Sequence, residues 1–276
     1  MRVGCRQKQV SGNSVCVGGV ALNCVANSRI WDEAGFDEVF VPPCPCDDGI
    51  AIGCALYGAA LHQELKTRKV PVFGGCIYEH DPSELEALGL RKVFVGKDVY
   101  QVIAKEIAKG SVIAWFQGGS EFGPRALGHR SFLADPRREG MKDYLNLKVK
   151  NRENFRPFAP VILEEHVNEY FCRQYPSYCM SFVSKVREEK QSQLPAITHV
   201  DGTARYQVLR NEHNPQLYAL ICAFANETGV PVLLNTSFNR AGEPLVETPR
   251  QAVLCALASS ADFLVVDGSI YEPANR

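Results

Sequence analysis

Hydrophobic and polar positions change period along the chain, and each change marks an element. Residues 14–17 form a short β-branched run ending on Gly18 and Gly19, which predicts a strand entering a glycine turn. The stretch up to about Ile30 has the composition of a helix. Residues 38–41 read as a second short strand, stopped by Pro42 and Pro43. Asp47, Asp48 and Gly49 then open a strongly apolar helix expected from Ile50 to about Leu65. The two carboxylates read first as caps that favour the helix dipole, and second as groups able to hold a metal or orient a ligand. Residues 67–98 look like a connector holding one short helix. In that helix Asp81 is the N-cap, Pro82 sits at N1, Glu84 at N3, and Gly89 lies just past the end.

Beyond residue 91 the pattern is bolder. Residues 99–109 repeat at helical spacing, Gly110 stops them, and residues 112–116 make an apolar run short enough for a buried strand. That strand ends on Gln117, Gly118 and Gly119. In the next basic segment Met141, Tyr144 and Leu145 fall on one helical face, extended by Lys148, until Pro157 and Pro160 break it. Near the end, residues 217–228 form an amphipathic helix closed by Gly229, and residues 230–234 a strand leading to Asn235-Thr-Ser-Phe-Asn239. Alternating strands and helices give an α/β class. The shift of pattern divides the chain into residues 1–90 and 91–276.

Charge changes this picture most. The chain of 276 residues has a net charge of -1, yet residues 125–156 hold nine Lys or Arg against four Asp or Glu. The cations are interleaved with apolar residues and prolines, which favours a lined cleft over a solvated basic helix. Glycines, a proline and a serine in the same stretch suit an anionic ligand of the phosphate kind. The near-neutral total argues against a nucleic-acid surface. Eleven cysteines, seven of them before residue 77, include no C-x-x-C pair. They read as scattered thiols of a reducing, cytoplasmic setting. Cys44-Pro-Cys46 beside Asp47 and Asp48 is the one cluster worth keeping as a metal candidate. No apolar run is long enough to span a bilayer. Arg2, Arg6 and Lys8 before residues 15–26 could imitate a signal peptide, but Gly18, Gly19 and Asn23 interrupt that run.

Two segments have the residue types of a binding site without being specific alone. Gly18 and Gly19 between a strand and a helix could cradle a phosphate on backbone N–H groups, or could simply turn the chain. Amide and hydroxyl side chains from Asn235 to Asn239 could hold a nucleotide or acyl group, or could be an Asx and Ser/Thr turn.

In combination these segments resemble the carbamoyltransferases of the NodU, CmcH and TobZ family. The stretches that carry the resemblance are Gly18-Gly-Val-Ala-Leu-Asn23, Asp47-Asp-Gly-Ile-Ala-Ile-Gly53, Trp115-Phe-Gln-Gly118 and Glu121-Phe-Gly-Pro-Arg-Ala-Leu-Gly128. Arg152 to Pro160, His199-Val-Asp-Gly202 and Asn235-Thr-Ser-Phe-Asn239 follow in the family's order. The resemblance implies the end of an ASKHA-type (actin and Hsp70-like) domain in residues 1–90. It implies a YrdC-like domain with a twisted mixed sheet in residues 91–276. It further implies an ATP-dependent O-carbamoyltransferase that joins carbamoyl phosphate and ATP, with Mg, into carbamoyl adenylate. The carbamoyl group then goes to a hydroxyl or amine of a small-molecule acceptor, helped by an Fe(II)-type metal. By the same resemblance Arg125, Arg130, Lys150, Arg152 and Arg156 are the catalytic cations, with Lys150 preferred to Lys148. Gly18, Gly19, Asn23, Ser131, His199, Asp201, Arg205, Asn235, Thr236, Ser237 and Asn239 contact nucleotide or carbamoyl group, and Asp47 is a metal ligand.

Members of that family have a long section before the Gly-Gly-Val-Ala-Leu-Asn motif, with a His-x-x-x-His metal pair. None of the six histidines here forms such a pair, so the metal site is expected to keep one ligand from this chain. Half an ASKHA-type domain is also expected to expose apolar faces and a sheet edge. A partner chain supplying the missing half, or a homodimer, follows as an expectation, as does no membrane partner. Two alternatives remain: a non-catalytic nucleotide-binding fragment or split subunit, and a factor related to tRNA threonylcarbamoylation.

Overall fold

A computed structural model describes residues 12–62, 72–96 and 98–274. The expected continuation of the apolar helix to Leu65, the basic residues near 67–69, and Arg2, Arg6 and Lys8 lie outside them. Strand β1 (Asn13–Val15) pairs in parallel with β2 (Glu38–Phe40). Between the two, Gly18 takes a φ of 89° and the chain runs through a 3-10 turn (Gly19–Leu22) into helix α1 (Cys24–Glu33). Asn23 is its N-cap, accepting from the Ala26 N–H at 3.1 Å.

Helix α1 docks with polar residues. Asn27 and Ser28 are its buried positions. Asn27 Nδ2 donates to Ala21 O at 2.8 Å and Ser181 O at 3.0 Å, and Ser28 Oγ bonds both the carbonyl and the N–H of Val183. Trp31 adds an aromatic contact to Tyr175 and Phe182. A second 3-10 turn, Asp47–Gly49, leads into α2 (Ile50–Leu61). Gly49 is the N-cap of α2 and no side chain hydrogen-bonds there, so Asp47 and Asp48 are not its caps. No residue of α2 is buried, although its twelve residues include no charge.

The remaining elements are α3 (Pro82–Ala87), β3 (Leu90–Val95), α4 (Val99–Lys109), β4 (Ile113–Phe116), β5 (Arg130–Ala134) and α5 (Met141–Tyr144). Then follow β6 (Ala159–Leu163), α6 (Val167–Tyr170), β7 (Val183–Lys185), α7 (Glu188–Gln191), β8 (Thr203–Arg205) and β9 (Gln207–Leu209). Helix α8 (Pro215–Thr228), β10 (Val232–Ser237), α9 (Pro249–Ala258), β11 (Phe263–Val266) and β12 (Ser269–Pro273) complete the chain. Eight strands form one mixed sheet in the order β3-β12-β11-β4-β5-β10-β6-β9. The β4–β11 and β6–β9 pairs are parallel and the others antiparallel. Strands β7 and β8 make a separate antiparallel pair.

Every residue of β4, β5 and β6 is buried, which is why β4 reads as a continuous apolar run and not as alternation. Helix α8 lies against β10 and β6, and α9 against β4 and β11. The Asp81 cap, Pro82 at the first turn, and Gly110 and Gly229 in left-handed conformations fall where expected. Strand β10 runs on to Ser237, so Asn235 and Thr236 belong to the sheet and not to a loop after it. Tyr144 is exposed while Met141 and Leu145 are buried, so the expected shared face does not include it. Among the described residues no helix is long and apolar enough to cross a membrane.

Replacing Asn27 with Ala strands two carbonyls at the seam between α1 and the body. The expected cost is about 1–3 kcal/mol. Hydrogen exchange should quicken in residues 13–40 with little change in β4 to β6, and uniform protection across both regions would contradict the seam.

Candidate functional site

The site is built on the loop between β4 and β5. Glu121, itself buried, places one carboxylate oxygen against three backbone N–H groups, those of Leu127 (2.7 Å), His129 (2.8 Å) and Arg130 (3.1 Å). From the other side three carboxamides take up the loop's carbonyls. Asn235 donates to Ala126, Gln207 to Leu127 and Asn214 to Gly128, at 3.3, 3.0 and 3.2 Å. Gly123, at a φ of 117°, lets the loop pass Pro43, whose carbonyl oxygen would lie 2.3 Å from a β-carbon there. The crest of this loop carries Arg125.

Three residues expected to touch ligand are engaged in this scaffold. Arg130 is fully buried over the Phe116 ring, and its terminal nitrogens donate to the carbonyls of Gln117, Gly118, His129 and Glu247. Ser131 Oγ accepts from the Gly128 N–H, and Asn235 serves the loop as described.

Arg125 is different. Its one hydrogen bond runs from Nη2 to Leu22 O at 3.5 Å, which also brings the Gly18–Asn23 turn to the site. Beside it stands Arg205, at the end of β8, with its Nε–H buried and unpartnered. Burial, and next the Arg125 charge, push the Arg205 guanidinium down to about 10. Burial lowers Arg125 as well, and among the described residues neither group has an ion-pair partner; Cys24 favours their charged forms. Arg152 also acts on Arg205 and is itself lowered by burial and then by Arg156. The nearby Glu153 is paired with Arg156 at 2.9 Å. Desolvated like charges without a counter-ion are unfavourable, and an anion completes such an arrangement.

The cations continue into a cavity of about 290 Å³ lined by Lys150, Arg152, Arg156, Ser237, Asn239 and Arg240, with Glu153 as its one carboxylate. A π-helical turn, Leu145–Val149, widens the backbone just before it, as π-turns often do at functional sites. Lys150 is buried, and its ammonium lies 2.6–3.0 Å from four oxygens, the carbonyl and side-chain oxygens of Ser237 and Asn239. Burial, followed by the Arg152 charge, brings Lys150 down to about 7. Asn146 fixes the next residues: its Nδ2 donates to the carbonyls of Asn154 and Arg156, and its Oδ1 accepts from Arg152 Nε at 2.7 Å. Lys148 is exposed.

His199 and Asp201 form the turn before β8. Asp201 accepts from the Thr203 N–H and hydroxyl, which holds its carboxyl below the usual range, and burial lowers His199. Thr236 is half-buried in β10, opposite Phe132. Gly18 and Gly19 are exposed, and a β-carbon on either would meet nothing within 4 Å. Asp47 is exposed. Among the described residues no three His, Cys, Asp or Glu side chains converge as a metal site, so these residues do not by themselves fit the implied iron. Glu121, Asn146, Gln207 and Asn214 were not singled out from the sequence. Only the position of Glu121, four residues before Arg125, hinted at a role.

The family model for the Carbamoyltransferase C-terminus matches residues 104–272, and that for the Carbamoyltransferase N-terminus matches residues 5–56. The chain belongs to the carbamoyltransferase family. It is 43% identical to the nodulation protein NolO of Bradyrhizobium diazoefficiens over 90% of this chain and 47% of that protein. It is 36% identical to a 3'-hydroxymethylcephem-O-carbamoyltransferase of Amycolatopsis lactamdurans over 98% of this chain and 51% of that one. This carbamoyltransferase-family chain thus spans about half the length of the curated relatives it matches. Among solved structures, E. coli YciO aligns with 64% of this chain and 81% of its own at a TM-score of 0.45 and 15% identity.

Two outcomes follow from the site's charge. Arg205→Met removes a repelled, desolvated cation and should raise stability by about 1–2 kcal/mol while weakening inorganic phosphate binding, checked by thermal unfolding and calorimetry; a destabilised variant with unchanged affinity would contradict it. For Lys150 the folded value lies below the unfolded one. The unfolded chain therefore holds more protons from about pH 7 upward, and stability rises across that window. Anion affinity runs the other way and falls as pH passes 7. In Lys150→Met both slopes should flatten.

Proposed function

We propose that this chain is the catalytic portion of a carbamoyltransferase that converts carbamoyl phosphate, ATP and water into carbamoyl adenylate, pyrophosphate and phosphate. The carbamoyl group then passes to a hydroxyl or amine of a small-molecule acceptor. The carrying observation is the gathering of Arg125 and Arg205, which have no ion-pair partner among the described residues, with Arg152 and a polar cavity that holds Lys150 beside them. Both co-substrates are polyanions whose transfer chemistry is driven chiefly by positioned positive charge. In this reading Arg125 and Arg205 grip the phosphoryl group of carbamoyl phosphate. Arg152, Arg156 and Lys150 face the ATP phosphates, accompanied by Mg, and Ser237 and Asn239 orient them through Lys150. Guanidinium forks suit such oxygens because two parallel N–H groups fix orientation as well as charge.

The acceptor side rests on a second observation. Val15, Val20, Phe40, Ile50, Tyr57 and Leu61 are all more than half exposed, which supports a complementary half of the enzyme covering them and completing the acceptor pocket. An iron-type metal, if used, would take most of its ligands from that half.

Incubation with carbamoyl phosphate, ATP and Mg should release pyrophosphate only when both substrates are present. Arg152→Ala should slow release by roughly a hundredfold. Absence of release in the wild type, or an unaltered rate in the variant, would exclude the reading.

A further inference from the structure

Glu121 lies in none of the cavities and touches no member of the cation cluster directly through an ion pair, yet it is buried in the turn that carries Arg125. Only Oε1 makes hydrogen bonds, and it makes three, to the N–H groups of Leu127, His129 and Arg130. Oε2 is buried without a partner. One oxygen facing three N–H donors is an anion nest supplied by the chain's own side chain. It closes the loop from Glu121 round to Arg130 and fixes where residue 125 stands. The carbonyl side of the same loop is already held by Asn235, Gln207 and Asn214. Glu121 therefore takes three of the N–H groups on the loop's other face, where Ser131 takes that of Gly128.

The strap at residues 72–75 converges on the same residue. Phe73 bridges to Glu121, Phe122 N–H donates to Val72 O, Gly75 N–H donates to Ser120 O, and the Phe73 ring stacks on His129 at 3.6 Å. A β-carbon on Gly119 would lie 2.3 Å from Gly75 O, so the two segments touch backbone to backbone. The loop has little room to move as a body. Loss of the Glu121 oxygen would free it locally.

We propose that Glu121 is a positioning residue: its carboxylate gathers the Leu127, His129 and Arg130 N–H groups and so aims Arg125 at the anion. This rests on the reading of Arg125 as an anion ligand. The probe is carbamoyl phosphate, followed by calorimetry and by the KM and kcat of pyrophosphate release. Glu121→Gln retains a carbonyl oxygen for the three donors and should bind within about threefold of wild type, even if it melts earlier, because a neutral acceptor still fills the nest. Glu121→Ala should weaken binding by about tenfold or more, with KM raised more than kcat is lowered. In the double variant with Arg125→Ala the loss should not exceed that of Arg125→Ala alone, since Glu121 acts through Arg125.

Additive losses in the double variant, or Gln and Ala variants equally impaired while folded, would overturn the proposal. Should Glu121→Ala fail to fold, Glu121→Asp serves in its place, because its shorter reach cannot meet all three donors and the same non-additivity is expected. Failure of the underlying reading looks different: wild type would bind no carbamoyl phosphate and no variant would change anything.

Discussion

Holding Arg125 and Arg205 together without an ion-pair partner among the described residues is the constraint on which the rest depends. Two neighbouring guanidiniums repel, and burial removes the water that would screen them. Arg125 and Arg205 stand in that relation, with Arg152 behind them. Such a cluster persists only if the backbone beneath is held by bonds that do not involve the cations. The β4–β5 loop is built that way: Glu121 takes its N–H groups, three carboxamides take its carbonyls, and the buried Arg130 staples its base to the sheet. One arginine of the loop is used for architecture, while another, Arg125, keeps a single long hydrogen bond among the described residues.

The second half of the site uses a different device. Lys150 is ringed by four oxygens that are all neutral, so its charge is positioned without being cancelled. Just past the π-turn Asn151 takes a φ of 49°, and Lys150 and Arg152 on either side of it both line the cavity. Together the two halves form a cationic path from the Gly18–Asn23 turn to the Asn239 loop. On the far side of that turn the small parallel β1–β2 pair and the apolar α2 remain open. Parallel strands are ordinarily covered on both faces, whereas in β2 only Val39 is buried and the residues on either side of it are exposed.

Much of this was legible in the sequence where one residue type has one physical use. Asp81 and Pro82 could hardly be other than a helix start, and Gly110 and Gly229 had to close helices in a left-handed conformation. The island of cations from 125 to 156 stood out by its charge and its interleaved apolar residues, and the resemblance picked 125, 150, 152 and 156 within it. Less legible were residues whose chemistry serves ligands and backbone equally well. Arg130, Ser131 and Asn235 have the donors and acceptors of a phosphate or amide contact, and only burial reveals that the loop uses them. For Asn235 the difference came from β10 running three residues further than its apolar run. Glu121 shows the converse: a lone carboxylate near an arginine reads as an ion-pair partner, whereas it bonds backbone N–H groups instead. Asn214 and Gln207 reach the loop from distant strands and helices, and no local pattern announces such a contact.

The central claim is that Arg125 and Arg205 jointly hold an anion. Crystals soaked in tungstate, a heavy stand-in for phosphate, test it most directly through the anomalous difference map. The account expects a strong peak within hydrogen-bond reach, about 3 Å, of both guanidiniums, and its loss in Arg125→Ala. Tungstate bound only at exposed lysines, with nothing between Arg125 and Arg205, would contradict it.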